Sequence, residues 1–560
     1  MMGTQQGIAD RFDYIIVGGG LAGSVLASRL SHGPTAPKIL LVEAGPDVST
    51  NTVIPHAANV ARLTGADLDW KYVTVPQKQL EERQVLNPAG KCLGGGTAIN
   101  SCGWIRGDRS DFDLWAKLVN DERYSYERML PYFIKTEKFH DSAVNPGQHG
   151  SEGPMYLATS SSTGRHYPLR ETLVEAWKEN GVQPLPGLDG NGGNPKGLAE
   201  LTENRRDGLR QLASAVYPLD RVRVLTNTLV KRILIEKAHA GAPKAVGVET
   251  ADGNRYYGNE LICSAGSYRT PQLLMLSGIG PKTTLSSLGI NIVHDSPEVG
   301  RNLYDHLQLT QYWKLKDPSA GYALGSANPL FTQPQFGLGL PTDWLITTEV
   351  PTESLIGAIT EDEGRAPSAS HLLLQTPRAA LEHLTIYAAA SPSNPAVPFD
   401  GSHIASVIIH LLPTSTGTVT ITSTDPLESP VIDPQYLSTA VDRHAWRSGL
   451  RTAAKLFLGT ETGKAVVEAE TPADAFAPIS LDSSDKELDA RVRHGASSTY
   501  HAMGTCSMGK VVDTDFRVLG VDNLWVVDAS VIPTPIAAHI QAAVYALAEL
   551  AADVITSSAE

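Results

Sequence analysis

Residues 13–17 (DYIIV) form a short apolar, β-branched run that predicts a buried strand. The run leads directly into Gly18-Gly19-Gly20. Over 21–31, Leu21, Val25, Leu26 and Leu30 recur near helical spacing and predict a helix. Ile39-Leu40-Leu41-Val42 predicts a second strand, which ends at Glu43-Ala44-Gly45. Strand, glycine turn, helix and strand in this order make a βαβ unit. Residues 87–110 are glycine-rich and polar and predict a long loop. Segments 143–165 and 185–207, rich in Gly, Asn, Pro and Ser, predict surface loops. Strands are predicted at 222–236, 245–250 and 260–264, then a helix over 270–277 opened by Thr270-Pro271. Residues 316–370 read as mostly loop. Strands at 404–412 and 417–422, a helix over 441–457, a strand at 524–527 and a final helix over 536–556 complete the pattern. No solenoid period or low-complexity tract interrupts it.

Composition narrows the class. Of 560 residues, 42% are apolar and 19% charged, the balance of a globular chain rather than a disordered one. The formal charge of -14, with no Lys/Arg run, argues against a nucleic-acid partner. No run of 18 or more apolar residues exists, so no membrane-spanning helix is expected. Cys92, Cys102, Cys263 and Cys506 are too few for a disulfide scaffold. The N-terminal segment MMGTQQGIADRFDYIIVGGG lacks a basic region followed by an apolar core, and the chain carries no N-x-S/T sequon. Together these predict an intracellular, cytoplasmic protein. The terminal SSAE matches no targeting address, and no metal site is expected.

Gly18-x-Gly20-x-x-Gly23 lies between strand and helix, and Glu43 closes the next strand 20 positions after Gly23. The first glycine allows the tight turn, the second lets the backbone approach a pyrophosphate, and the third lets the helix pack on the strand. The helix N-terminus then faces the diphosphate, and Glu43 can accept from ribose hydroxyls. A carboxylate there would repel a 2′-phosphate, which disfavours NADP.

Further motifs bring a resemblance. Gly90-Lys91-Cys92-Leu93-Gly94-Gly95-Gly96-Thr97-Ala98-Ile99-Asn100 and Gly266-Ser267-Tyr268-Arg269-Thr270-Pro271-Gln272-Leu273-Leu274 resemble the two signatures of the glucose–methanol–choline (GMC) oxidoreductases, a family of FAD enzymes. So do Asp69-Trp70-Lys71-Tyr72, the stretch Val299 to His306, and the block from His501 to Glu549. The matches run the length of the chain and are weakest over 310–400. The resemblance implies an α/β fold: a Rossmann-like FAD-binding domain (1–155, 205–310 and 490–560) and a β-sheet substrate-binding domain (156–204 and 311–489), discontinuous in sequence. It also implies roles. The loop from Gly94 through Thr97 to Asn100 would wrap the flavin, Val230 would offer backbone to adenine, and Asp528-Ala529 would face the pyrophosphate and ribityl chain. Asp305-His306 reads as a structural turn near the flavin. Where some relatives attach FAD through a histidine, Ala98 and Ile99 stand here, so non-covalent FAD is expected.

His501 and His539 match the family's catalytic pair, in the His/His form of aryl-alcohol oxidases. An imidazole titrates near neutrality and can take the hydroxyl proton while hydride leaves carbon for the flavin. His501 is expected to be the general base and His539 to position the substrate oxygen. The expected reaction is oxidation of a primary alcohol, aryl or allylic, with oxygen or another acceptor completing the cycle, in a setting such as specialised metabolism. A non-redox lyase with a structural flavin is the alternative. A binding protein with a dead site is disfavoured by the presence of both histidines. The region 316–400 should shape the pocket, with Trp313, Tyr322, Phe331, Phe336 and Trp344 as aromatic walls or, more in keeping with their type, core packing. Two departures from the family pattern are Ser415-Thr416-Gly417, where many relatives have Ser-Arg-Gly and a strand contact would loosen, and Cys506 close to the catalytic block, expected to be a small buried thiol.

Overall fold

The computed structural model describes residues 11–33, 35–56, 59–141, 144–237 and 241–559. Residues 1–10 of the segment read for a leader, residue 143 of the loop predicted over 143–165, and Glu560 of the terminal SSAE lie outside the described residues.

Two seven-stranded sheets organise the chain. In the first, Arg223–Leu225, Ile39–Val42, Phe12–Val17, the end of Arg255–Cys263, and Leu524–Val526 run parallel. An antiparallel meander, Val230–Glu236, Lys244–Thr250 and Arg255–Cys263, extends it. Ile15, Leu40 and Leu261 pair across the central strands and are buried, as parallel strands covered on both faces require. The helix Leu21–Ser31, whose Ala22, Ala27 and Ser28 are buried, packs on the C-terminal helix Gln541–Ala559.

The second sheet is antiparallel, in the order Val467–Glu470, Leu307–Leu315, His403–His410, Leu381–Ile386, Trp344–Thr348, Gly197–Glu200, with Ser497–Ser498 joining Leu307–Leu315. One face covers the helix Ala440–Ala454. A Cβ added at Gly449 of that helix would sit 3.1 Å from Ile408 Cγ2. The opposite face, carrying Val407 and Ile409, turns toward the first sheet's end of the molecule and a cavity.

Several predicted elements shift. The strand expected over 222–236 breaks at 226–229, because its two halves serve different neighbours: Arg223–Leu225 pairs in parallel with Ile39–Val42, and Val230–Glu236 joins the meander. The helix expected from Thr270-Pro271 starts at Gly266, so Pro271 lies inside it. The Ser267 carbonyl that Pro271 cannot reach as a donor accepts instead from Thr505 Oγ1 at 2.6 Å. The final helix begins at Gln541, not 536. Upstream, the Ala537 amide donates to Asp111 Oδ2 (2.7 Å), and Arg378 bridges Asp111 and the Pro535 carbonyl, which keeps 535–539 out of the helix. The segment 316–370 contains the strand Trp344–Thr348 and the helix Thr352–Glu363. Strands Leu307–Leu315 and Leu381–Ile386 and helices Arg109–Val119, Tyr126–Thr136, Arg170–Glu179 and Asp485–Gly495 were not anticipated. Residues 417–420 keep their strand contacts without the family's arginine. Gly417 and Leu303 exchange backbone bonds of 2.8 and 3.1 Å, and Asp442 accepts from the Thr414 and Ser415 amides.

Candidate functional site

One cavity of about 540 Å³ runs from the end of the βαβ unit to the second sheet, in the size range of ligand pockets. Of the residues singled out in the sequence, Gly18, Gly20, Glu43, Thr97, Asn100, Val230, Asp528, Ala529, His501 and His539 line it. Gly23 and Gly94 stand behind its wall. A Cβ at Gly23 would lie 1.9 Å from the Gly18 carbonyl oxygen, which is the close packing of helix on strand. Gly94 takes φ +100 and donates its amide to the Gly19 carbonyl (2.7 Å). The two glycine-rich motifs, 75 or so residues apart, therefore touch backbone to backbone. A Cβ at Gly95 would sit 2.7 Å from Gly20 Cα.

Glu43 is buried at the closed end. Its Oε2 accepts from the Gly19 amide and its Oε1 from the Gly45 amide, both at 2.8 Å. Burial outweighs these donors and pushes its pKa up to about 7. Asp528 caps the turn after its strand. Its Oδ2 accepts from the Gly266 amide (2.9 Å) and Thr270 Oγ1 (2.6 Å), and its Oδ1 from the Ser530 amide (2.8 Å). Asn100 reaches the C-terminal helix, with its Nδ2 donating to Gln541 Oε1 at 3.1 Å. Thr97 Oγ1 donates to the Gly94 carbonyl and accepts from the Ala213 amide. Cys506 is buried, which pushes its thiol well above its ordinary value and makes it a poor nucleophile.

These residues fit FAD. Gly20, Gly96 and Gly266 line the cavity, and a Cβ at Gly96 or Gly266 would meet no protein atom within 4 Å. The space is left for something other than protein. The amides opening the helix Leu21–Ser31 suit a diphosphate, and Glu43, Val230 and Leu273 surround the end where ribose and adenine would lie.

At the other end three histidines meet. His501 follows Tyr500, held at φ +66, and its amide donates to Asp305 Oδ1 (2.9 Å). The other oxygen of Asp305 accepts from Ser498 Oγ and Tyr436 Oη. Asp305 and His306 lie in an irregular stretch rather than the expected turn; Asp305 anchors the backbone of His501, and His306 Nδ1 lies 3.0 Å from His501 Nδ1. The tautomer follows from the neighbours. Thr499 Oγ1 spends its proton on the His306 carbonyl (2.9 Å), so toward His501 Nδ1 (3.1 Å) it accepts. His501 therefore carries its proton on Nδ1, His306 accepts there, and the free lone pair of His501 is on Nε2. Burial, followed by the neighbouring His306 and His539, holds His501 well below its ordinary pKa, and burial lowers His306 to about 3. Both are thereby biased toward the neutral imidazole.

His539 sits 5.3 Å from His501, ring centre to ring centre, in a β-bridge with Ile105. Its Nε2 is 2.9 Å from Glu382 Oε1. Burial lowers its pKa, but Glu382 and the Gly103 carbonyl outweigh burial, and the net direction is up. Sequence reasoning missed Glu382. The signal was present in Leu381-Glu382-His383-Leu384-Thr385-Ile386: a carboxylate on the same strand face as Leu384 and Ile386, both of which line the cavity. From 316–370 only Leu340 reaches the cavity, whose wall is built by Leu201, Leu384, Ile386, Val407 and Ile409. Trp313, Phe336 and Trp344 are buried in the second core, with Tyr322 and Phe331 packed against it.

A βαβ crossover with a glycine turn, joined by one cavity to a pair of half-buried histidines shifted in opposite directions, is the arrangement of a dinucleotide-dependent redox enzyme. Two family models, each described as GMC oxidoreductase, match residues 12–308 and 413–548. The chain belongs to the GMC oxidoreductase family and is an FAD-dependent oxidoreductase. The GMC-type oxidoreductase acuG of Aspergillus aculeatus is 42% identical over 550 residues, covering 97% of this chain and 99% of that protein. The alcohol dehydrogenase (acceptor) of Pseudomonas putida is 32% identical over 565 residues, covering 97% of this chain and 95% of that one. Among solved structures, a variant of the Aspergillus oryzae RIB40 formate oxidase, studied for its effect on FAD modification, is similar with a TM-score of 0.84 at 28% identity, over 99% of each chain. The first sheet is accordingly a Rossmann-like FAD-binding domain and the second the sheet of a substrate-binding domain. Among the described residues no helix is long and apolar enough to cross a membrane.

Proposed function

We propose that the protein oxidises an uncharged primary alcohol, aryl or allylic, to the aldehyde, with FAD held non-covalently, His501 as general base and His539 as the positioning partner. The observation that carries this reading is the division of labour between the two histidines. The contacts of His501 Nδ1 with His306 and Thr499 leave its Nε2 lone pair free and burial biases the ring toward the neutral form, whereas Glu382 biases His539 toward the cation. Bound in the cavity, FAD supplies the acceptor for the hydride that leaves the carbinol carbon. Nε2 of His501 takes the hydroxyl proton. The charge on His539 stands beside the oxygen as it gains electron density. The aliphatic wall of Leu384, Ile386, Val407 and Ile409 supports an apolar substrate. Ala98 and Ile99, neither able to bond a flavin carbon, support a non-covalent cofactor.

The same reading assigns 1–155, 205–310 and 490–560 to FAD and 156–204 and 311–489 to substrate, with strands Leu307–Leu315 and Ser497–Ser498 tying the two together. Oxygen or another small acceptor completes the cycle, and four free buried thiols suit the intracellular setting proposed for it, in specialised metabolism. The test is anaerobic. Aryl, allylic and aliphatic alcohols are added to the yellow protein without oxygen. Bleaching by the aryl or allylic class supports the reading. Bleaching by none overturns it in favour of a non-redox lyase.

A further inference from the structure

The cavity wall supplied by the second sheet is aliphatic except at one row. The register places Gln308 opposite Ile409 and Ile409 opposite Glu382, so the three stand side by side on adjacent strands and share a face. At one strand spacing per step, Gln308 and Glu382 are about 10 Å apart. Glu382 is committed to His539. Gln308 is anchored on the His501 side, its Nε2 donating to the Ser498 carbonyl at 3.2 Å. That bond fixes which way the amide faces. The nitrogen is spent on a backbone acceptor, and Oε1 is left as an acceptor with no protein partner among the described residues. Gln308 lines the cavity and is half-buried, so this oxygen is exposed to the cavity rather than sealed in the wall. A ligand that displaces solvent from this apolar chamber leaves the amide oxygen unsatisfied, at a cost, unless the ligand itself donates to it.

Resting on the alcohol-oxidation reading above, we infer that Gln308 determines specificity by accepting a hydrogen bond from an uncharged donor on the substrate, a phenolic or alcoholic hydroxyl set apart from the reacting carbinol. A cationic headgroup has no carboxylate to meet at this position, and a carboxylate headgroup would face an acceptor with no proton to share. The substrate class is therefore a hydroxylated alcohol, such as a hydroxybenzyl alcohol, rather than a plain hydrocarbon alcohol.

Binding without turnover tests this directly. Phenol and fluorobenzene have similar size, and only phenol donates. Each is titrated into the FAD-loaded protein and followed by the perturbation of the flavin absorption band. Phenol is expected to bind about 10-fold more tightly than fluorobenzene, the upper end of what one neutral hydrogen bond supplies. In Gln308→Met, which keeps the length of the side chain and removes the acceptor, the ratio is expected to fall near one with fluorobenzene binding unchanged. Gln308→Leu is the second variant, and retained flavin content shows that both are folded. No phenol preference in the native protein, or a preference that survives both substitutions, overturns the inference. A separate anaerobic comparison of 3-hydroxybenzyl and benzyl alcohol isolates the underlying reading. If neither bleaches the flavin while the phenol preference depends on Gln308, alcohol oxidation fails and the recognition role stands.

Discussion

Glu382→Gln removes one charge from the site and little else. Glu382 is fully buried and its Oε1 is 2.9 Å from His539 Nε2, an acceptor position that a glutamine oxygen can also fill. Without the carboxylate, burial becomes the governing influence on His539, as it already is on His306 and His501. A hydrogen bond to a charged group contributes about 1.5–3 kcal/mol, equivalent to about 1–2 units of pKa on the imidazole. The sign is determined by the direction of the native shift. His539 is raised above its ordinary 6.5, so its charge is present below that raised value and lost as pH rises through it. His501 is lowered, so it becomes protonated, and useless as a base, only well below 6.5. The native rate of flavin reduction should therefore form a plateau with its acid limb well below 6.5 and its alkaline limb above it. In Glu382→Gln the alkaline limb should move down by about 1–2 units. The acid limb should move up, because a neutral His539 no longer opposes a proton on His501. The assay is stopped-flow reduction by an alcohol substrate under anaerobic conditions across pH, with flavin content as the folding control. A profile that only drops in height, with both limbs unmoved, would refute the assignment of charge to the Glu382–His539 pair.

Other outcomes are expected together. His501→Ala should keep FAD while slowing reductive turnover by about 100-fold or more, the scale of lost general-base catalysis; near-native rates in stopped flow would remove His501 from the mechanism. Gly96→Leu should fold with a Tm close to that of the flavin-free native protein, since its Cβ meets no protein atom within 4 Å, yet lose the visible flavin band because the side chain enters the cofactor's space. A yellow Gly96→Leu protein would mean that the cavity holds its ligand elsewhere. Acid precipitation of the native protein should leave the yellow colour in the supernatant, and colour in the pellet would show a covalent flavin.

Legibility in the sequence followed the range of the interactions. The βαβ crossover was readable because its turn, helix and strand are dictated by neighbours a few residues apart, and Gly18, Gly23 and Glu43 sit where that local geometry requires. His501 and His539 were readable as motif members. The strands Leu307–Leu315 and Leu381–Ile386 were not: the first alternates in burial, but the second is buried on both faces and its cavity face includes Glu382, a charge that pattern reading assigns to solvent. The start of the last helix was misjudged because Asp111, more than four hundred positions away, takes the Ala537 amide and keeps the preceding backbone out of the helix.

The sequence alone thus determined the cofactor class, the α/β architecture and the identity of the two histidines, all of which depend on local spacing or on motifs contiguous in the chain. Only the tertiary structure decided which nitrogen of His501 is free, why His539 is drawn toward the cation while its neighbours are not, and where Gln308 presents its oxygen. Those properties come from burial and from partners on distant strands: His306 and Thr499 for one ring, Glu382 for the other, the Ser498 carbonyl for the amide. In water each of these groups would titrate or turn freely. The folded interior removes the solvent and leaves a single arrangement in which their hydrogen bonds can be satisfied.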